Sequence, residues 1–318
     1  MTLSKRETRI LSELSKNARE SQSDIAKRLR TSPQTLKYNL DNLKEKHVFK
    51  AHVIIDPARL GLITIRCFLN FTTFNKHTQN DLIKELTETP DVVHVQRLRL
   101  GADLLVEYAV PNLSYFNKAH TQFLHDNSDA IRNKNTYPVL VRYTFDRNYL
   151  RPRTKNRSMI LSGDREPAQL SKTEQDILEA LIQAPQATII DLARTTNYDP
   201  RTVRNAIKTC EENKIIRGYS IDLDYHQASI SSALLGVEFS YVTPQELDRF
   251  VEFANQTKEI VGLEKVIGQE RVFVTIETFK NYTEVIEALR EEFKITEYKV
   301  FEAGNIHKNT YVPTTQQH

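Results

Sequence analysis

The apolar residues at the start of the chain recur with the period of a helix, and the same pattern returns 167 residues later. The first apolar stripe consists of Leu3, Ile10, Leu11 and Leu14. The motif Ser4-x-x-Glu7 accompanies this stripe and Ser171-x-x-Glu174 accompanies its repeat, and both have the form of a helix capping box. Each copy is therefore predicted to begin with a capped amphipathic helix.

A third helix is predicted in each copy, after a short second helix and a turn. It starts at Pro33 in the first copy and at Pro200 in the second, where Ser32 and Asp199 are suited to cap it. Its apolar positions are Leu36, Leu40 and Leu43 in the first copy and Val203, Ile207 and Cys210 in the second. Three short helices with a tight turn before the third predict a helix-turn-helix in each copy.

The exposed face of each third helix combines cations with amide and hydroxyl groups. Lys and Arg neutralise phosphates, whereas Gln, Asn, Thr and Arg present hydrogen-bonding groups to base edges in the major groove. Contacts to double-stranded DNA are predicted at Ser32, Gln34, Thr35, Lys37, Tyr38, Asn42 and Lys44 in the first copy, and at Arg201, Thr202, Arg204, Asn205 and Lys208 in the second.

The rest of each copy alternates strand and helix patterns. Segments rich in β-branched and aromatic residues surround two amphipathic helices in the order β-α-β-β-α-β. This order predicts a ferredoxin-like antiparallel sheet covered on one face by two helices. Because segments such as 104–108 are apolar on both faces, we expect sheet-to-sheet packing, either within one chain or between two chains.

The chain is thus predicted to be of the α+β class, with two helix-turn-helix domains alternating with two ferredoxin-like domains. Residues 146–168 lack periodicity and contain turn-forming and basic residues, as is typical of a linker. The expected segments are a helix-turn-helix domain at 1–55, a ferredoxin-like domain at 60–146, a linker at 147–168, the second helix-turn-helix at 169–222, the second ferredoxin-like domain at 230–303 and a tail at 304–318.

The net charge of +3 conceals an imbalance between the two copies. Residues 1–55 carry twelve Lys and Arg against six Asp and Glu, a net charge of +6. Residues 169–222 carry seven against eight, a net charge of −1. A basic segment on a nearly neutral body suits a polyanion partner. We expect both third helices to bind DNA, the first more strongly.

Several classes of protein are disfavoured by the sequence. Its apolar stretches are far shorter than the ~20 residues that span a bilayer, so we expect no membrane partner. Cys67 and Cys210 fall at apolar-pattern positions and are expected to pack in the core in a reducing compartment, the cytoplasm. The sequence shows no hydrolase, P-loop, dinucleotide or zinc motif. We therefore expect no enzyme, no catalytic residue, no cofactor and no metal.

The order of these features resembles the leucine-responsive regulator (Lrp/AsnC) family. The resemblance rests on Leu-Ser-Lys-x-Glu at 3–7 and 170–174, on the links at 48–52 and 215–219, and on Asp-Pro-Ala-Arg-Leu-Gly at 56–61. It implies a transcription regulator whose sheet domains, called RAM domains, form homodimers or higher homo-oligomers. In many members these domains bind amino acids or other small effectors between subunits.

The family's turn between the second and third strands of this domain resembles residues 101–103 and 268–270. The resemblance therefore implies that an amino-acid-like small effector binds at Gly101, Asp103, Gly268 and Glu270. A glycine in a tight hairpin turn also has a purely structural use.

Two other functions stay open at the level of sequence. Siroheme decarboxylases resemble the same two-domain family, with histidine and arginine near a tetrapyrrole, although no histidines of the first copy pair at metal-ligand spacing on a helix face. Those histidines are His47, His52, His77, His94, His120 and His125. The other alternative is an assembly or ligand-sensing protein in which only the first copy binds DNA.

Overall fold

The structure of the protein is a computed structural model, which describes residues 3–151, 157–239, 243–268 and 271–313. In these ranges the helices are α1 (Lys5–Lys16), α2 (Gln22–Leu29), α3 (Pro33–Glu45), α4 (Lys76–Glu88), α5 (Leu113–Asp126), α6 (Lys172–Gln183), α7 (Ile189–Thr196), α8 (Pro200–Glu212), α9 (Pro244–Gln256) and α10 (Thr283–Glu292). The strands are β1 (Phe49–Ile55), β2 (Ile63–Phe71), β3 (Val92–Leu98), β4 (Leu104–Val110), β5 (Ile131–Phe145), β6 (Ser158–Ser162), β7 (Ile216–Leu223), β8 (Ser231–Phe239), β9 (Ile260–Val266), β10 (Val272–Thr278) and β11 (Ile295–Asn309).

Side-chain caps start the helices of both helix-turn-helix domains. The Ser4 and Ser171 hydroxyls each accept a backbone N–H from the glutamate three residues later, whose carboxylate accepts in return from the serine N–H. Ser32 caps α3 and Asp199 caps α8. Because these caps are local hydrogen bonds, they satisfy the free N–H groups of each helix start wherever the helix packs.

The strand that follows each helix-turn-helix pairs with the equivalent strand of the other copy. β1 and β7 form a two-stranded antiparallel ribbon. Ile221 and Leu223 of β7 pack into the core of the first helix-turn-helix, while Val53 and Ile55 of β1 pack into the core of the second. Each helix-turn-helix domain is thus completed by residues of the other repeat.

Both predicted β-α-β-β-α-β domains are present, and their sheets join. The first comprises β2, α4, β3, β4, α5 and β5, and the second comprises β8, α9, β9, β10, α10 and β11. β3 pairs with β11, β9 pairs with β5, and β5 also pairs with β2. Eight strands therefore close into a barrel in the order β2-β4-β3-β11-β8-β10-β9-β5. The expected sheet-to-sheet packing occurs within one chain.

The barrel has an aromatic interior and apolar outer layers. Phe68 lies 4.0 Å from Phe301 between ring centroids, and Tyr137 and Phe273 complete the cluster. Apolar residues of α4 and α5 pack on the outer face of the first half, and those of α9 and α10 on the second. Phe68 and Phe273 come from different repeats, so the interior is a core shared by the two copies.

Two segments that were expected to be irregular contain strand. β6 lies inside the expected linker at 147–168 and pairs with β5. β11 continues past residue 303 to Asn309, and Val312 beyond it is buried in the core of the second helix-turn-helix. The end of β11 obtains its hydrogen bonds from β3 of the first repeat, a distant part of the chain that local periodicity cannot reveal.

The two cysteines lie in the cores, as predicted. Cys67 and Cys210 are buried free thiols, and burial raises the pKa of each thiol to about 12. Thiols with so high a pKa stay protonated and are poor nucleophiles. Within the described ranges, no helix is both long and apolar enough to cross a bilayer.

Candidate nucleic-acid interface and the cavity between the repeats

The α3 helix turns its polar and basic face to solvent. Leu36, Leu40 and Leu43 are buried and fix this orientation. Of the predicted residues, Thr35 and Asn42 are half-buried, and the exposed ones are Ser32, Gln34, Lys37, Tyr38 and Lys44. The Ser32 hydroxyl accepts the backbone N–H of Thr35, so it serves the helix start.

The α8 helix presents an equivalent face in the second copy. Val203, Ala206, Ile207 and Cys210 are buried beneath it. Thr202 is half-buried, and the exposed predicted residues are Arg201, Arg204, Asn205 and Lys208. The Thr202 hydroxyl hydrogen-bonds the Asp199 carboxylate, which caps the helix.

Four cations on these two faces have no ionic partner among the described residues. They are Lys37, Lys44, Arg201 and Arg204. Lys208, by contrast, lies 3.4 Å from the Glu212 carboxylate. An exposed cation that forms no ion pair is available to an anionic partner. On a helix-turn-helix that binds DNA, this partner is a backbone phosphate.

The two helix-turn-helix domains contact each other directly. The Arg19 guanidinium donates to the Pro185 carbonyl at 2.7 Å, and the Gln186 amide donates to the Ala18 carbonyl at 2.9 Å. Arg19 also lies over the Tyr219 ring, 5.2 Å from its centroid. These contacts hold the two exposed helix faces in one arrangement.

The predicted effector turns have structural roles where they are described. Gly101 has a φ of +88°, and a Cβ at this position would lie 2.5 Å from the Val300 carbonyl of β11. The Asp103 carboxylate accepts the backbone N–H of Phe71 at 2.8 Å. Gly268 is exposed, and Glu270 lies outside the described residues. Effector binding at these turns stays a prediction.

A buried ion network inside the barrel was not predicted from the sequence. Arg66, Glu107 and Glu264 are each about 95% buried and interact with Arg142, which is half-buried. Arg142 lies 2.8 Å from Glu107 and contacts Glu264, and Arg66 pairs with both carboxylates. The available signal was a charged residue in an otherwise apolar strand, as at Arg66 in β2 and Glu107 in β4.

Ion pairing in the network keeps Glu107 and Arg142 ionised. Burial alone would raise the pKa of Glu107, but Arg142 and Arg66 hold it well below its usual range. Burial alone would lower the pKa of Arg142, but Glu107 and Glu264 raise it above its usual value. Charges from both repeats therefore neutralise one another inside the barrel.

A cavity of about 180 Å³ adjoins this network and is lined by residues of both repeats. Its charged lining continues to Arg147, which donates to the Glu277 carboxylate at 2.7 Å. The polar lining also includes His94, Tyr225, Asn309 and Tyr311, among others. Burial raises the pKa of Tyr311 to about 12, so its hydroxyl stays protonated and can donate a hydrogen bond.

A second cavity of about 680 Å³ lies between the β1–β7 ribbon and the end of β11. Asp222, Tyr225, Ile306 and Asn309 line both cavities, so the two are adjacent. At their boundary the His52 ring lies 3.1 Å from the Asp222 carboxylate. Burial would raise the pKa of Asp222, but His52 keeps it below its usual value. The second cavity is of the size of small-molecule pockets, which measure about 300–1,000 Å³.

Comparisons with known proteins support the internal duplication of the chain. A family model described as winged helix-turn-helix DNA-binding matches residues 3–50 and again residues 170–217. A search of curated protein sequences finds no match. An AsnC family transcriptional regulator from Agrobacterium tumefaciens matches 44% of this chain and 94% of its own, at 17% identity and a TM-score of 0.40. The helix-turn-helix predicted at the start of each repeat is confirmed by the family model.

Over the whole chain, the structure matches the siroheme decarboxylase NirDL. The match covers 98% of this chain and 95% of that one, with a TM-score of 0.59 and 13% identity. The same enzyme in co-complex with an iron-uroporphyrin III analogue matches with a TM-score of 0.58 and 14% identity, covering 97% of this chain and 94% of that one. The two chains share a fold.

This match corrects one expectation from the sequence. The prediction that the chain is not an enzyme is wrong, because the fold that spans nearly its whole length is also the fold of an enzyme. That prediction rested on the absence of a familiar catalytic motif, and such an absence does not exclude an enzyme. The chain is a tandem duplication of a unit in which a winged helix-turn-helix domain of the DNA-binding type is followed by a ferredoxin-like domain.

Proposed function

We propose that the protein is a sequence-specific DNA-binding transcription regulator of the Lrp/AsnC type. The observation that carries the proposal is the pair of exposed third-helix faces, with Lys37, Lys44, Arg201 and Arg204 unpaired among the described residues. The matched winged helix-turn-helix family supports it in both repeats. Partners consistent with it are double-stranded DNA and, at the predicted turns, an amino-acid-like effector.

The test is the affinity for duplex DNA of a variant in which Lys37, Lys44, Arg201 and Arg204 are all changed to Ala. We expect affinity to fall across all sequences. The slope of log affinity against log salt should become shallower by about 0.9 for each phosphate that the variant no longer neutralises. The two pairs of changes made separately show whether one repeat or both bind DNA.

A matched control removes the same charge from another surface. Lys84, Lys118 and Arg290 are exposed on the outer helices of the barrel, and Lys280 is exposed in the turn before α10. Their joint change to Ala should leave DNA affinity nearly unchanged. If the two quadruple variants lose affinity equally, net charge alone is responsible and the proposed interface is refuted.

A second candidate function is favoured by the cavities between the repeats. The chain shares its fold with a siroheme decarboxylase, and its larger cavity contains His47, His52, Lys50 and Lys308. Cations and imidazoles are suited to the carboxylates and iron of an iron tetrapyrrole. The inner cavity of 180 Å³ is below the usual size of ligand pockets, so a tetrapyrrole substrate would be expected in the outer one.

This candidate is tested by titrating the protein with siroheme and recording the visible absorption spectrum. A shift that is lost in His52→Ala, but kept in His77→Ala on the exposed start of α4, would support tetrapyrrole binding in the outer cavity. Loss of carboxyl groups from the pigment, followed by mass spectrometry, would establish the reaction. An unshifted spectrum at saturating pigment would exclude this candidate.

A further inference from the structure

The two helix-turn-helix domains are joined by two equivalent hydrogen bonds, one donated from each repeat. With the repeat offset of 167 residues, Arg19 corresponds to Gln186, and Ala18 corresponds to Pro185. The hydrogen bonds Arg19 to Pro185 and Gln186 to Ala18 are therefore equivalent, each running from one repeat to the other. Reciprocal contacts of this kind arise when two units are related by a two-fold axis.

Strand pairing shows the same relation elsewhere in the molecule. β1 and β7 are equivalent strands and pair with each other in antiparallel orientation. In the barrel, β3 of the first repeat pairs with β11 of the second, and β9 of the second pairs with β5 of the first. The whole chain is thus a dimer-like arrangement with a local two-fold axis, built from one polypeptide.

The two recognition faces nevertheless differ in chemistry. Equivalent positions carry different side chains in the pairs Gln34 and Arg201, Lys37 and Arg204, Tyr38 and Asn205, and Asp41 and Lys208. An Arg at a base edge favours guanine, whereas a Gln favours adenine. Two helices with different base-contacting side chains, α3 and α8, therefore occupy symmetric positions.

We propose that a single chain binds one DNA site composed of two inverted half-sites of different base sequence, so that the bound protein has a fixed direction on the duplex. The inference rests on the proposed DNA-binding function. A two-fold axis between the readers matches the local two-fold axis of the duplex and so inverts the half-sites. The difference between α3 and α8 makes the half-sites unequal, with the α8 half-site richer in guanine.

The barrel interior supports one chain per site. Arg66 of the first repeat pairs with Glu264 of the second, but the equivalents of these residues, by strand register, are Leu234 and Gln96. A barrel made from two first repeats or two second repeats would lack this ion pairing and leave a buried charge. Pairing of unlike repeats is therefore preferred, because an unpaired buried charge is strongly destabilising. In this structure the two unlike repeats belong to one chain.

The experiment is selection of bound sequences from a library of random duplexes by the full-length protein. We expect an enriched site with two inverted, unlike halves, and native mass spectrometry should show one chain per duplex. Replacing the second half by an inverted copy of the first should weaken binding about fivefold or more for each changed base pair.

A designed variant tests the origin of the asymmetry. Changing the α8 face to that of α3, by Arg201→Gln, Arg204→Lys, Asn205→Tyr, Lys208→Asp and Thr209→Asn, should convert the selected site into a palindrome. These positions are exposed or half-buried, and Glu211 is left in place because its carboxylate accepts from the Tyr219 hydroxyl. A reciprocal variant, with the same positions of α3 changed to those of α8, should give the other palindrome.

The possible failures are distinguishable. A selected site that is a direct repeat, contains one half only or requires two chains would overturn the inference while leaving DNA binding intact. A site that stays asymmetric in both helix-face variants would also overturn it. If the protein enriches no sequence at all, the proposed function fails and the inference fails with it.

Discussion

Arg66 contacts carboxylates from both repeats in the barrel interior. Changing Arg66 to Leu removes a buried cation and leaves Glu107 and Glu264 with less compensation. We expect the free energy of unfolding to fall by about 3–5 kcal/mol, as measured by urea denaturation. Arg99→Ala, which breaks an exposed pair with Glu302, is the control and should change it by less than about 1 kcal/mol. Equal losses of unfolding free energy in the two variants would mean that water screens the charges of the network.

His120 makes the stability of the first ferredoxin-like domain depend on pH. Its ring stacks on Phe116 in a buried position, and burial lowers its pKa below the ordinary value of 6.5. The unfolded chain takes up a proton near pH 6.5, whereas the folded protein does so only at lower pH. The contribution of neutral His120 to stability is therefore present above pH 6.5 and is lost as the pH falls through the folded-state pKa.

The measurement is the free energy of unfolding at several pH values between 7.5 and 5. We expect its decline on acidification to be smaller in His120→Leu than in the unaltered protein. His77 is exposed, so His77→Leu should leave the decline unchanged. If both variants behave alike, titration of His120 does not contribute.

At the scale of elements, the turn between β3 and β4 joins the two repeats. Gly101 and Gly163 both have left-handed backbones, with φ values of +88° and +86°. An added Cβ at Gly101 would lie 2.5 Å from the Val300 carbonyl, whereas at Gly163 the nearest atom lies 3.6 Å away. The backbone penalty of an alanine is therefore similar at the two positions, about 1–2 kcal/mol, but only Gly101 adds a clash.

We accordingly expect Gly101→Ala to lower the free energy of unfolding by more than Gly163→Ala does. Urea denaturation of both variants measures the difference in unfolding free energy. Because the backbone penalty is similar, this difference gives the cost of the clash between the turn and β11. Similar losses would show that β11 moves away at little cost and that the glycine is needed only for its backbone conformation.

The elements were predictable to unequal degrees. Ser32 and Pro33 mark the start of α3, and the spacing of its buried leucines indicates which face is exposed. Both features therefore followed from the sequence. The pairing of Arg66 with Glu264 did not follow, because Glu264 reaches it only after the two repeats have packed together. β6 did not follow either, although its partner β5 is close in sequence, because the segment around it shows no strand periodicity. Sequence periodicity reports which side of a strand is apolar, and it does not report which distant strand lies opposite.

At the scale of the whole molecule, the repeats are held together by noncovalent pairing along the ribbon and the barrel. We predict that cutting the chain at a protease site introduced within residues 152–156 leaves the two halves associated. Gel filtration of the cut protein should show one species in buffer and two separate fragments in concentrated urea. Separation of the halves in buffer would mean that the covalent connection is needed to hold the barrel closed.

The ion network joining Arg66 and Arg142 to Glu107 and Glu264 has a consequence for how such a chain can change over time. In an assembly of two identical chains, every substitution appears twice, and a new charge near the axis meets its own copy. In this polypeptide each substitution appears once, and synthesis of one chain delivers the two unlike halves in a one-to-one ratio. Arginines on one side and a carboxylate such as Glu264 on the other could therefore be acquired one at a time, a route closed to a symmetric pair.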